Sequence, residues 1–473
     1  MKSLEISRRQ FLAGSAALCT YQLSSASAST ISEPVRGFEL VCAETAQQIL
    51  PHNAPSTKVW AYNGRTPFQE FRIKQGETFE CEVTNKLDNA TTVHWHGMRV
   101  PNNMDGVPEL TQEPIAPGAT FTYRFKANDA GTYWFHSHMR GVEQIDRGLV
   151  GTLIVEEHNP PAVDQDVTWL VDDWRLARDG SISPDFAAMH DVSHGGRIGN
   201  ISTVNGRYDT KTSVAAGQRV RIRIINVANA RIFNLSLGQL PYQVIAVDGQ
   251  GIEPTRQPLF VGPGMRMDII VDVPETIAGQ DVHVTDHYRA DAPYRLHTLA
   301  VGPKAPSTPQ PKAPVERIKF NPISPIDLSR AVRHEVVLTG GMMGTGVLQK
   351  MVAEGRLDST YGAVSLPGPW TLNGRPWEHG MQTPMLSLER GVTGILSIVN
   401  ATAWYHPMHL HGYVFDILRR NGKPDGGRAD TVLVAPMERI DVAFFADNPG
   451  KWMFHCHILE HQIGGMMGYI EVL

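Results

Sequence analysis

Between Gly76 and Asn85 the chain reads ETFECEVT, between Gly217 and Asn226 QRVRIRII, and between Gly391 and Asn400 VTGILSIV. Apolar residues recur at alternate positions (Phe79, Cys81, Val83; Val220, Ile222, Ile224; Leu396, Ile398), the period of a strand with one buried face. The Gly before and the Asn after supply turn chemistry. The three segments align without gaps, and at the same offset each meets a further glycine, Gly97, Gly238 and Gly412. A register kept over 22 residues three times is internal duplication. A Pro-containing turn followed by a strand-like run also recurs, as Pro117 with FTYRF, Pro263 with MDIIV and Pro436 with IDVAF. The pattern predicts an all-β chain built as one β-sandwich repeated three times. Boundaries fall near Asn159-Pro160-Pro161 and in the Pro-rich run VGPKAPSTPQPKAPVE, residues 301 to 316, which reads as an extended linker. The domains expected are therefore 29–160, 161–305 and 306–473.

Length agrees, since 473 residues suit about three domains of roughly 150 residues each. The stretch before the first domain carries Ser7-Arg8-Arg9-Gln10-Phe11-Leu12, a modestly apolar run to Leu23 and then Ala26-Ser27-Ala28. This reads as a twin-arginine export signal over residues 1–28, handled by the twin-arginine machinery and leaving a periplasmic protein. No later stretch approaches the ~20 apolar residues of a membrane span. Loss of the signal moves the formal net charge from -5 to about -7, and an acidic chain without a basic block is a poor nucleic-acid binder. Of four cysteines, Cys19 leaves with the signal. Cys42 and Cys81 lie in strand-like runs of the first domain and read equally as a disulfide or as two buried thiols.

Ten of the nineteen histidines fall in four short motifs. Residues i and i+2 of a strand share a face, so His94/His96, His136/His138, His409/His411 and His455/His457 form four pairs, each aimed to one side. Two pairs belong to the first domain and two to the third. Where those domains carry His94/His96 and His409/His411, the middle one has Leu235 and Leu237. It is a spacer, not a ligand donor. Eight imidazoles converging at a domain interface could hold three copper ions.

Cys456 lies between His455 and His457 and must point to the opposite face of the same strand. His406, with parity opposite to His409 and His411, can face the same way. A helical turn after His457 would bring back His461, with Met466 five residues later. Two imidazoles, a thiolate and a weak thioether form the ligand set of a blue-copper electron-transfer site. Structural zinc prefers a closed set of Cys and His, and the thioether adds little for it. An electron arriving at Cys456 would thus leave through His455 or His457.

In order, the motifs HWHG, HSH, HPMHLHG and HCHILEHQIGGM resemble the four signatures of the multicopper oxidase family, the laccases and bacterial copper-efflux oxidases. The resemblance covers essentially the whole chain after the signal. It implies cupredoxin-like Greek-key domains, four copper ions, and a monomer that oxidises a small reducing substrate and reduces dioxygen to water. It implies His406, Cys456, His461 and axial Met466 at a type 1 copper, and His94 and His409 at type 2. His96, His136, His138, His411, His455 and His457 then hold the type 3 pair. The substrates implied are phenols, aromatic amines or metal ions, with cuprous-ion oxidation for copper tolerance as the specific alternative. Copper-free relatives that act as division scaffolds lose ligands, and none is missing here.

Residues around these ligands read less sharply. Asp105, in VPNNMDG, is either a turn residue or a proton relay to dioxygen. Related bacterial enzymes place a glutamate directly after the second type 1 histidine, but this chain has Gln462, which cannot act as a general acid. Met342, Met343 and Met351 are a thin version of a methionine-rich insert or plain core filling. Trp404 lies near the type 1 motif. The other nine histidines, His190 and His194 among them, read as surface or core residues.

Overall fold

The computed structural model describes residues 35–64, 68–304, 313–363, 369–377 and 383–473. The expected export signal, residues 1–28, and residues 305–312 of the expected linker lie outside the described residues. Among the described residues six sheets form three successive pairs. In the first, strands Thr57–Tyr62, Val35–Gln47, Thr78–Asn85 and Thr120–Lys126 form one sheet, and Gln69–Lys74, Val150–Glu156, Gly131–His136 and His94–His96 the other. The core lies between them, where Leu40, Phe79 and Val83 meet Phe71, Phe135 and Leu153. Residues 165–304 repeat the plan with six- and five-stranded sheets, and residues 332–472 with seven- and five-stranded ones. The chain is all-β, as the alternation predicts. Among the described residues no helix is long and apolar enough to cross a membrane.

The sequence repeat is also a topological one. Strand Thr78–Asn85 lies parallel to Val35–Gln47, Arg219–Asn226 parallel to Gln165–Trp174, and Thr393–Asn400 parallel to Val332–Gly340. Gly76, Gly217 and Gly391 open these strands at φ of 89, 84 and 86°, a conformation that a Cβ disfavours. The closing asparagines are buried latches. Asn85 Nδ2 donates to the Asn89 and Ile115 carbonyls, Asn226 to those of Arg231 and Val261, and Asn400 to those of Trp404 and Val434. Each Oδ1 accepts the N–H two residues on, from Leu87, Ala228 and Thr402. One amide thus ties a strand end to two loops, the reason the repeat ends on Asn rather than on any turn residue.

Two expectations are sharpened. The linker starts later than residue 301, because strand Tyr294–Lys304 continues beside Lys211–Ala216. Pairing runs from Ala215 with Gly302 to Ala216 with Lys304, so Pro303, which has no N–H, is the bulged residue. Cys42 and Cys81 are free and buried. Cys81 is opposite Phe38, four residues before Cys42, an offset on the order of 13 Å that no disulfide spans.

Candidate metal centres

Strand His94–His96 pairs with Gly131–His136, placing His94 opposite His136, while His406–Leu410 pairs with Gly450–Cys456, placing His409 opposite His455. The two strand pairs, from the first and third sandwiches, meet face to face. The His94 ring stacks on His411 and the His96 ring on His409, each with centroids 3.8 Å apart. Ligand nitrogens cluster within 4.8 Å as His94/His96/His136, His94/His409/His411 and His138/His411/His455. His457 closes the group, its ring 4.9 Å from that of His96.

The outward nitrogens are tied down. His94 Nδ1 donates to the Asp105 carbonyl at 2.7 Å and His409 Nδ1 to the Asp430 carbonyl at 2.8 Å. His136 and His455 donate to the carbonyls of Ser137 and Cys456, and His411 Nδ1 to Asp105 Oδ2 at 2.9 Å. The inward nitrogens are orphaned: His94 Nε2, His96 Nδ1, His136 Nε2, His409 Nε2 and both nitrogens of His457 are buried without a hydrogen-bond partner. An unsatisfied buried polar atom costs about 1–3 kcal/mol, so six in one place, which leave one lone pair on each of five rings, make sense only as ligand atoms meant for cations. Burial, and then neighbouring imidazoles, hold His96, His136, His138, His411, His455 and His457 well below the ordinary imidazole range. The rings are therefore neutral, as metal ligands must be.

On the other face of strand Gly450–Cys456, Cys456 Sγ lies 3.5 Å from His406 Nδ1 and 3.7 Å from His461 Nδ1, and those two nitrogens are 3.1 Å apart. Cys456, Met408 and Met466 share one buried core cluster, which bears out the parity reading. Helix Leu459–Ile463 returns His461, as expected from its spacing. The Thr402 hydroxyl sits 2.7 Å from His406 Nε2, and His461 Nε2 donates to the His194 carbonyl at 2.6 Å, so both rings turn Nδ1 towards the sulfur. Burial pushes the Cys456 thiol up and the two imidazoles down, His461 to about 3. A thiolate here requires a cation to stabilise it. The donor set fits copper, and Cys456 joins the two groups twice: through the backbone, and through its carbonyl, which accepts the His455 Nδ1–H at 2.8 Å.

Asp105 is fully buried, with Oδ1 free of hydrogen-bond partners and Oδ2 on His411, which no plain turn residue requires. A cavity of about 800 Å³ reaches His136 and His138 and is lined also by Glu109, Lys451 and Gln462. Gln462 therefore lines the cavity that reaches the histidine cluster, as a non-titrating amide. Glu460 is buried against the middle sandwich, its carboxyl pushed up to about 7 by desolvation.

Several residues escape a linear reading. His194 is more than a surface histidine, since its carbonyl holds His461 and its ring faces Trp404. His190, at i-4 on helix Met189–Ser193, stacks on His194 at 4.2 Å. Trp404 Nε1 donates to the Met342 carbonyl, which brings Met342 (54% exposed) and Met343 (65%) to the same face. Met351, at 1% exposed, is core. Asp430 and Thr431 brace the histidine cluster although nothing near them in sequence marks them; only their place opposite His409 on a paired strand does.

Leu235 and Leu237 fill the core of the middle sandwich, as expected. That sandwich nevertheless walls the cluster, for a Cβ on Gly264 would lie 2.9 Å from the His457 ring.

Models of multicopper oxidase domains match residues 44–160, 166–301 and 353–473. The chain is 30% identical over 449 residues to the multicopper oxidase MmcO of Mycobacterium tuberculosis, covering 89% of this chain and 84% of that one. It is 28% identical to a laccase of Neurospora crassa, over 91% of this chain and 77% of the relative. The crystal structure of a multi-copper oxidase from Pseudomonas thermotolerans superposes with a TM-score of 0.81 at 32% identity, covering 93% of this chain and all of that one. The three sandwiches are thus cupredoxin-like, and the chain belongs to the multicopper oxidase family of copper-dependent oxidoreductases.

Proposed function

We propose that this chain is a laccase-like oxidase with four copper ions. His406, Cys456, His461 and Met466 would hold type 1, and His94 and His409 type 2. His96, His136, His138, His411, His455 and His457 would hold the type 3 pair. The observation that carries the reading is the set of six orphaned imidazole nitrogens one residue step from a buried thiol flanked by two imidazoles. Bound copper supplies one-electron redox chemistry at the thiolate and four-electron reduction of dioxygen to water among the eight imidazoles.

The chain's own residues arrange the rest. The carbonyl of half-buried His194, whose ring faces Trp404, brings His461 to within one hydrogen bond of the surface, where a phenol or aromatic amine would dock and give up an electron. Cys456 passes it through backbone to His455 and His457. Asp105, buried with Oδ2 on His411 and Oδ1 3.3 Å from His94 Nδ1, would hold and deliver protons where Gln462 cannot. Every ligand comes from one chain, which supports action as a monomer. The Arg8-Arg9 motif supports twin-arginine export to the periplasm. Copper-loaded protein should be blue, hold about four coppers per chain and consume oxygen with a phenolic donor. Cys456→Ser should abolish the colour and donor oxidation while keeping about three coppers. Colourless wild-type protein, inert to oxygen after full loading, overturns the reading.

A second reading, oxidation of cuprous ion, is favoured by the thioethers of Met342 and Met343, exposed beside Trp404. Replacing both with leucine should lower Cu(I) turnover and spare phenol turnover; equal effects on both would remove this reading.

A further inference from the structure

We infer that Arg266, on the sandwich that supplies no ligand, is a positioning residue for the histidine cluster, acting through Asp430; this rests on the copper reading above. Arg266 is fully buried, and its guanidinium makes two parallel hydrogen bonds to the Asp430 carboxylate, Nη1 to Oδ1 at 2.7 Å and Nη2 to Oδ2 at 2.6 Å. The guanidinium is fixed in turn by the Thr132 carbonyl on Nε at 3.1 Å, and the backbone by Asp248 Oδ1, which accepts the Arg266 N–H at 2.9 Å. Asp248 Oδ2 also accepts the Thr431 N–H at 3.1 Å.

Asp430 and Thr431 pass this order to two imidazoles from different sandwiches. The Asp430 carbonyl accepts the His409 Nδ1–H, and its Oδ1 lies 3.3 Å from His96 Nε2 and 3.5 Å from His409 Nδ1. The Thr431 hydroxyl donates to Asp430 Oδ1 at 2.9 Å and stands 3.1 Å from both His96 Nε2 and His409 Nδ1. The far nitrogens of those rings, His96 Nδ1 and His409 Nε2, are two of the orphaned ligand atoms. Arg266 therefore sets the angle at which both lone pairs enter the cluster. The fit leaves no slack, since a Cβ on Gly97 would stand 2.3 Å from Arg266 Nη2 and 2.5 Å from Asp430 Oδ2.

A bidentate guanidinium–carboxylate pair carries orientation as well as charge, and a lysine supplies charge without the fork. Removing one partner strands a buried charge and can unfold the region, so the test uses two variants. In Arg266→Lys the charge stays; in the double variant Arg266→Met with Asp430→Asn both charges go. Each is loaded with copper beside wild type, then exposed to a chelator while copper per chain, the type 2 electron paramagnetic resonance signal and the blue absorbance are followed. The inference expects type 2 copper to leave at least tenfold faster in both variants, with blue absorbance, the internal control for folding, retained. Wild-type release rates, or blue absorbance falling in step with the type 2 signal, overturn it. Wild type without about four coppers would instead overturn the copper reading.

Discussion

Asn226→Asp changes one atom of the latch in the middle sandwich and carries a pH signature. The amide donates to the Arg231 and Val261 carbonyls, both at 2.8 Å, and accepts the Ala228 N–H at 3.0 Å, fully buried. A carboxylate there keeps the acceptor but turns a negative oxygen towards two carbonyl oxygens. It folds only as the neutral acid, which costs about 4 kcal/mol at pH 7 against a free pKa of about 3.9. The single O–H then satisfies one carbonyl and leaves the other unpaired, for about 1–3 kcal/mol more. The expected penalty is about 5–7 kcal/mol at pH 7, a large share of the stability of an ordinary domain. The folded pKa of the introduced acid lies above its unfolded value, so stability is highest at low pH and falls as pH rises. Between pH 7 and pH 5 the variant should regain about 3 kcal/mol relative to wild type. Urea unfolding of both proteins at pH 5, 6 and 7 measures this, with Asn226→Ala as a comparator whose penalty is independent of pH. A penalty below about 1 kcal/mol, or one that does not change with pH, would refute the latch.

His297 is buried with Thr210 and Thr212 hydroxyls on its two ring nitrogens, and burial holds its pKa at about 4. The folded value lies below the unfolded one, so its contribution is intact above about pH 6.5 and about 3 kcal/mol is lost as pH falls to about 4. His297→Gln should flatten that part of the stability profile, and parallel profiles would count against it. Asp105→Asn can keep the contact with His411 but exchanges no proton. Reoxidation of reduced enzyme by dioxygen, timed by return of the blue colour, should slow by about 10²–10⁴ at unchanged copper content, and an unchanged rate would remove Asp105 from the proton path.

The sandwiches and the paired ligands were legible because both obey the two-residue period of a strand. Phe79, Val220 and Leu396 mark buried faces, and the same parity puts Cys456 opposite His455 and His457. His461 was legible for a different reason: a short helix restores to one face what the strand had separated. The bracing residues were not legible, because their contacts are distant in sequence and of ordinary chemical type. Arg266 meets Asp430 across 164 positions, in a strand that alternation describes only as half-buried. Nor could composition separate Met351, which fills the core, from Met342, carried to the surface by a backbone bond to Ser193 and by Trp404.

Strand parity has a further consequence for how the enzyme meets its two substrates. Because Cys456 and its neighbours face opposite ways, the proposed electron port and the approach to the histidine cluster open on different sides of strand Gly450–Cys456. The port is built from His194, Trp404 and Met342, held by backbone hydrogen bonds near the surface. The approach to the cluster is the cavity at His136, His138 and Gln462, among which none of the port residues appears. On the proposed reading the electron donor and dioxygen would therefore approach from separate openings, with Cys456 the link between them. Donor preference should then follow the exposed side chains of Met189, Met342 and Met343, and substitutions there should alter the donor profile without touching the rate of reoxidation. Dioxygen chemistry depends instead on buried groups whose packing admits no freedom, down to the missing Cβ of Gly97. The middle sandwich touches both, supplying the His194 carbonyl to one side and Arg266 to the other, although it carries none of the proposed copper ligands.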